Sequence, residues 1–100
     1  MATMKVGVLG MGRGGQRIAA ALLRSSWCDL VAVGSKKRHI LTAFAERHPG
    51  IATYDDCRSL IVGNRLDALF VAMPAYQRGP FLPLAAERGI PVWMLTPPAR

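Results

Sequence analysis

The sequence predicts a doubly wound α/β domain: a parallel sheet of about five strands with helices on both faces. Three observations carry this expectation. Short, almost wholly apolar runs recur along the chain, and segments rich in helix formers separate them. The runs do not alternate apolar with polar residues, which suits strands covered on both faces. Repeated strand-helix alternation, joined by right-handed crossovers, yields this class of sheet.

Taken in order, Lys5 to Leu9 form the first strand, and "QRIAAALL", Gln16 to Leu23, forms a helix with an apolar face. "LVAV", Leu30 to Val33, is a buried second strand. "HILTAFAER", His39 to Arg47, is a second helix stopped by Pro49 and Gly50. A weak third strand is expected at Ile51 to Tyr54. The next helix, Asp55 to Val62, has an early Asp suited to its N-terminus and Gly63-Asn64 suited to its end. "ALFVAM", Ala68 to Met73, is a strand ended by Pro74. Gly79 to Gly89 is a helix with Pro80 and Pro83 near its start, where a missing N–H costs little. Pro91 to Leu95 completes the set of strands.

One hundred residues, 51% hydrophobic and 19% charged, fit one globular domain and exclude a disordered chain. No apolar run approaches the roughly 18 residues that cross a bilayer. The opening "MATMKVGVLG" lacks the core and cleavage site of a signal peptide. A cytoplasmic protein without membrane attachment is expected. Cys28 and Cys57 have neither metal-motif spacing nor the density of a disulfide scaffold, so they are expected as partly buried thiols and no metal is implied.

The net charge of +7 favours anionic partners, either a phosphorylated cofactor or nucleic acid. The arginines are scattered, and only Lys36 to Arg38 form a basic block. Aromatic residues do not interleave with that block, which weighs against a nucleic-acid stacking surface. His39 and His48 have no nucleophile or acid beside them in sequence and are expected as surface or capping residues.

The richest local signal is "VGVLGMGRGGQRIAAALL", residues 6 to 23, with Gly10, Gly12 and Gly15 at G-x-G-x-x-G spacing between the first strand and the first helix. In that setting Gly10 makes the tight turn, Gly12 lets a pyrophosphate approach the main chain, and Gly15 lets the helix pack on the strand. The anion rests on free N–H groups at the positive end of the helix. Gly14 is a permissive extra glycine, and Arg13 lies along the pyrophosphate or in solvent. The fold expected is therefore Rossmann-type, and the cofactor a dinucleotide.

The end of the second strand selects which one. An acid about 20 positions past the glycines would bind the ribose 2′-hydroxyl of NAD, whereas positive charge would accept the 2′-phosphate of NADP. Here the turn is "VGSKKR", with Ser35, Lys36, Lys37 and Arg38 and no acid. NADP is expected over NAD.

The same motifs in the same order, "KVGVLGMGRGGQRIAAAL", "LVAVGSKKR" and "DALFVAMPAYQRGPFLPLAAERGIPVWMLTPPA", resemble the N-terminal domain of the glucose-fructose oxidoreductase, inositol dehydrogenase and rhizopine-catabolism family, Gfo/Idh/MocA. The resemblance covers essentially the whole chain. It implies a nicotinamide-dependent oxidoreductase acting on sugars, cyclitols or related polyols, with a second α/β domain for substrate contacts and oligomerisation. It also implies that the turn Ala72, Met73, Pro74 and Ala75 runs along the cofactor towards the nicotinamide.

Four positions depart from the family's pattern. Met73 replaces a usual hydroxyl residue and Ala75 a usual asparagine, and Arg78 stands where a histidine is common. Thr96 occupies the position of the family's lysine in Glu-Lys-Pro, and it can neither act as a cation nor serve as an effective base at neutral pH. The catalytic residue is therefore left unassigned.

The sequence also ends after the fifth strand, one strand short of a complete dinucleotide fold and without a substrate domain. A fragment of a longer homo-oligomeric enzyme, inactive by itself, is the first expectation. A non-catalytic dinucleotide-binding or sensor module is the alternative, and a small nucleic-acid binder a distant third.

Overall fold

In the computed structural model, which describes residues 3–72 and 82–94, five strands and four helices alternate along the chain. They are β1 (Met4–Leu9), α1 (Arg13–Arg24), β2 (Cys28–Gly34), α2 (Arg38–Arg47), β3 (Ala52–Tyr54), α3 (Cys57–Gly63), β4 (Ala68–Val71), α4 (Leu82–Glu87) and β5 (Val92–Met94). All strand pairs are parallel, in the order β3-β2-β1-β4-β5. The expected Rossmann-type α/β fold is what forms.

The central position of β1 explains its composition. Val6 and Val8 pack into a core with Ala19 and Leu22 of α1 and Leu41 of α2. Leu9 packs into a second core with Leu60 and Ile61 of α3 and Ala85 of α4. Successive residues thus feed opposite faces, and both faces carry helices, so no polar side chain is tolerated between Val6 and Leu9. Each such fully buried Val or Leu contributes about 1.5–3 kcal/mol of hydrophobic stabilisation.

The β1-β2 register slips once. Val6 faces Leu30 and Gly7 faces Ala32, so Val31 is an extra residue on β2. Leu30 and Val33 consequently lie in the same core, although three residues apart, while Val31 and Ala32 both turn to the other. This slip lets the wholly apolar "LVAV" serve both layers.

Capping sets the helix limits. Asp56 caps α3: its carboxylate accepts from Arg58 N and Ser59 N, each at 3.3 Å, and from Ser59 Oγ at 2.8 Å. The Ser59 hydroxyl is the main reason that the Asp56 carboxyl lies below its ordinary range, and the two amides act in the same direction. At the other end, Asn64 Nδ2 donates to Leu60 O at 2.8 Å and to the Tyr54 hydroxyl at 3.1 Å, which fulfils the expectation of a stop at Gly63-Asn64. His48 caps α2, its N–H bonded to Phe44 O at 2.9 Å and its ring 4.7 Å from that of Phe44. It is a capping histidine, as expected. Cys28 and Cys57 are free, half-buried thiols. Burial, with the Asp56 charge beside it, raises the Cys57 pKa above the usual thiol value.

Candidate functional site

The strand order places β2 on one side of β1 and β4 on the other, so the crevice beyond the C-terminal ends of β1 and β4 is the switch point of the sheet. The glycine motif occupies this crevice. Gly10, directly after β1, has φ 90°, a conformation L side chains rarely adopt, and its N–H donates to Gly34 O at 2.8 Å. The turn is thereby tied to the end of β2. Met11 inserts its side chain, fully buried, into the core shared with α1 and α2. Gln16 Nε2 holds the Met11 carbonyl at 3.0 Å. Together these contacts leave the following backbone fixed and facing outwards.

α1 begins earlier than its composition predicts, at Arg13 and not Gln16, with Gly12 as the N-cap. The cap has no side-chain hydrogen bond, and the first turn holds no acidic residue. Among the described residues, the terminal N–H groups of this twelve-residue helix therefore have neither a side-chain cap nor an acid in the first turn. Among the described residues, a Cβ added at Gly12 would meet nothing within 4 Å, so they leave the approach to this backbone open. Gly15 is different: a Cβ there would overlap the Gly10 carbonyl oxygen and lie 2.8 Å from its carbon. One glycine leaves space in front of the helix; the other removes bulk from behind it.

Ala72, at the exit of β4, completes the crevice. Its N–H donates to Leu9 O at 2.8 Å, and its Cβ lies 4.0 and 3.8 Å from Cβ positions built at Gly14 and Gly15. A small residue here keeps α1 close to the sheet. Arg13 and Gly14 are exposed beside it. Met73 and Pro74, and Thr96 further on, lie outside the described residues.

The second group of expected residues caps the adjacent strand. Ser35 N donates to Tyr54 O at 3.0 Å, and Ser35 Oγ accepts from Lys37 N at 3.1 Å, shaping a tight turn that leaves Lys36 and Lys37 exposed. Arg38, the first residue of α2, pairs through Nη2 with Asp55 Oδ2 at 3.0 Å. Asp55 is not among the expected site residues, because it is distant in sequence. The adjacency of β2 and β3 is the signal that could find it: in a parallel sheet, the turn leaving β3 lies beside the turn leaving β2. Gln16 and Met11 are likewise unanticipated as the supports of the glycine turn.

Chemically, this end of the sheet offers uncapped amides at a helix start, an open approach to them, and a basic turn on the neighbouring strand. Those donors fit a diphosphate, with a further anionic group beside the turn. Among the described residues no three His, Cys, Asp or Glu side chains converge to hold a metal, and no helix is long and apolar enough to cross a membrane.

Fold and crevice together define a Rossmann-type domain. A family model described as an oxidoreductase family with an NAD-binding Rossmann fold matches residues 4–99, and the chain belongs to that family, Gfo/Idh/MocA. No curated protein matches the sequence significantly. Among solved structures, scyllo-inositol dehydrogenase from Lactobacillus casei with bound NAD(H) and scyllo-inositol is similar over 93% of this chain, with 23% identity and a TM-score of 0.82. Myo-inositol 2-dehydrogenase from Lactobacillus plantarum is similar over 93%, with 25% identity and a TM-score of 0.76. A candidate NADPH-dependent oxidoreductase from Desulfitobacterium hafniense is similar over 94%, with 18% identity and a TM-score of 0.79. The chain spans 28%, 28% and 27% of these three chains, less than a third of each.

Proposed function

We propose that the chain is the cofactor domain of an oxidoreductase that prefers NADP(H) and acts, with a second α/β domain, on a polyol, cyclitol or sugar. The observation that carries the reading is the uncapped start of α1 with open space at Gly12, at the switch point of the sheet. The pyrophosphate would rest on the N–H groups just after Gly12, flanked by Arg13 and Gly14, with Gly10 and Gly15 setting the turn. Ala72, Met73 and Pro74 would run along the cofactor towards its nicotinamide. When bound, the nicotinamide supplies the hydride chemistry; the residues of the crevice bind and orient it.

The preference for NADP rests on the turn after β2. Ser35 would donate a hydrogen bond to the 2′-phosphate, and Lys36, Lys37 and Arg38 would add charge. Support for the substrate class comes from family membership and from the inositol dehydrogenases among the structural neighbours. Exposed Trp93 and Met94 on β5 are consistent with a homo-oligomer. Titration of intrinsic fluorescence with NADPH and NADH tests the cofactor assignment. NADPH is expected to bind at least about tenfold more tightly, and equal or reversed affinities would refute the preference.

A second reading, a dinucleotide sensor without hydride transfer, is favoured by Thr96 at the position of the family's lysine. Tight NADPH binding with no turnover of any polyol by the native protein would select it.

A further inference from the structure

The pair Arg38–Asp55 bears on cofactor choice in a way the turn sequence does not reveal. Arg38 stands at the N-terminus of α2, where the helix dipole disfavours a cation and favours an anion beside it. The helix has no side-chain cap and no acid in its first turn. Asp55, arriving from the end of β3, supplies an anion to the guanidinium itself, its Oδ2 3.0 Å from Arg38 Nη2. Arg38 and Asp55 both line an open groove between α2 and β3, together with Thr42, Glu46 and Thr53. Ser35, Lys36 and Lys37 do not line this groove. A carboxylate and a phosphate monoester are alternative partners for one guanidinium, and both present oxygen acceptors to its fork of donors.

We propose that Asp55 is a cofactor-specificity residue: by holding Arg38 it competes with the 2′-phosphate of NADP(H) and moderates the preference created by the basic turn. The inference rests on the cofactor reading above and assigns a role to a residue outside the glycine motif and the β2 turn. The competition is modest, because both side chains are exposed, 82% for Arg38 and 50% for Asp55, and exposed pairs are weak. Releasing Arg38 should therefore strengthen NADPH binding by about two- to fivefold and leave NADH binding unchanged.

The experiment measures NADPH and NADH dissociation constants for the native protein, Asp55→Asn, Arg38→Ala and the double variant, with circular dichroism confirming the fold of each. The expected result is an NADPH-specific gain in Asp55→Asn that disappears when Arg38 is alanine. An unchanged NADPH-to-NADH ratio in Asp55→Asn overturns the inference. So does a gain that persists in full without Arg38, which would be simple charge repulsion. Weakened NADH binding also overturns it, because Asp55 would then be holding the ribose itself. Failure of all four proteins to bind either dinucleotide removes the cofactor reading and this inference with it, an outcome distinct from binding with an unaltered ratio.

Discussion

Two glycines three residues apart should fail in opposite ways when each is replaced by alanine. At Gly15 the added methyl would overlap the Gly10 carbonyl oxygen and lie 2.8 Å from its carbon. Carbon atoms pack comfortably at about 3.5–4.0 Å, so the start of α1 must withdraw from the turn by on the order of 1 Å. The obstacle is backbone and cannot rotate away. Ala19 and Leu22 on the same buried face oppose the withdrawal by holding α1 in the core. The loss belongs at the upper end of overpacking costs, about 3 kcal/mol. In a 100-residue domain that lowers Tm by roughly 12–24 °C, at about 4–8 °C per kcal/mol.

At Gly12 the methyl meets none of the described residues within 4 Å, and φ −73° with ψ −163° is ordinary extended backbone. Gly12→Ala is therefore limited to the weaker capping preference of alanine, roughly 1 kcal/mol, while in the proposed binding mode its methyl would stand in the path of the diphosphate. Thermal melts followed by circular dichroism, paired with NADPH titrations, separate the two. Gly15→Ala should melt early; Gly12→Ala should stay folded and lose most of its affinity. A Gly15→Ala melt within about 3 °C of the parent, or a Gly12→Ala protein that binds NADPH normally, would refute the division of labour.

Two further outcomes concern the scaffold. The Asp56 pKa is lowered in the folded state, so its contribution is present above the unfolded carboxylate value, 3.8, and is lost as pH falls through the lower folded value. Urea midpoints for Asp56→Asn should accordingly vary less with pH across that acid window than those of the parent, and parallel profiles would count against the cap. Leu60 is fully buried, with its methyls 3.4 and 3.1 Å from Cβ positions built at Gly7 and Gly34. Leu60→Ala should cost about 2–5 kcal/mol in urea unfolding, and a loss under about 1 kcal/mol would show that α3 packs less tightly than these distances require.

The architecture was legible because burial on two faces leaves a plain mark: unbroken apolar runs at β1, β2 and β4, each succeeded by helix formers. The glycine corner is legible for the opposite reason: Gly10 and Gly15 stand where a side chain would be strained or would clash, and their spacing with Gly12 is visible in the sequence. Element limits are less legible where propensity and tertiary packing disagree. Gly14 and Gly15 are poor helix formers, yet α1 begins before them because Gly15 alone fits against Gly10. Asp29 and Gly34 belong to β2 although neither favours strands, because ladder partners at Lys5 and Leu9 hold them. Asp55 was hidden from the site because no local pattern links it to Arg38, seventeen positions away; only the pairing of β2 with β3 does.

The middle place of β1 has a consequence for how the chain is made. Its first neighbour arrives early, with Cys28 to Gly34, but its second comes only with Ala68 to Val71, sixty-two positions later, where Leu9 meets Val71. During synthesis, one flank of this strand stays bare until the ribosome has released Val71. Contacts that span such a distance form slowly, and a bare hydrophobic flank invites wrong partners meanwhile. Chaperone dependence in the cell should therefore track the delay before β4 emerges, so that slowing translation between Asn64 and Val71 lengthens the nascent chain's most vulnerable interval.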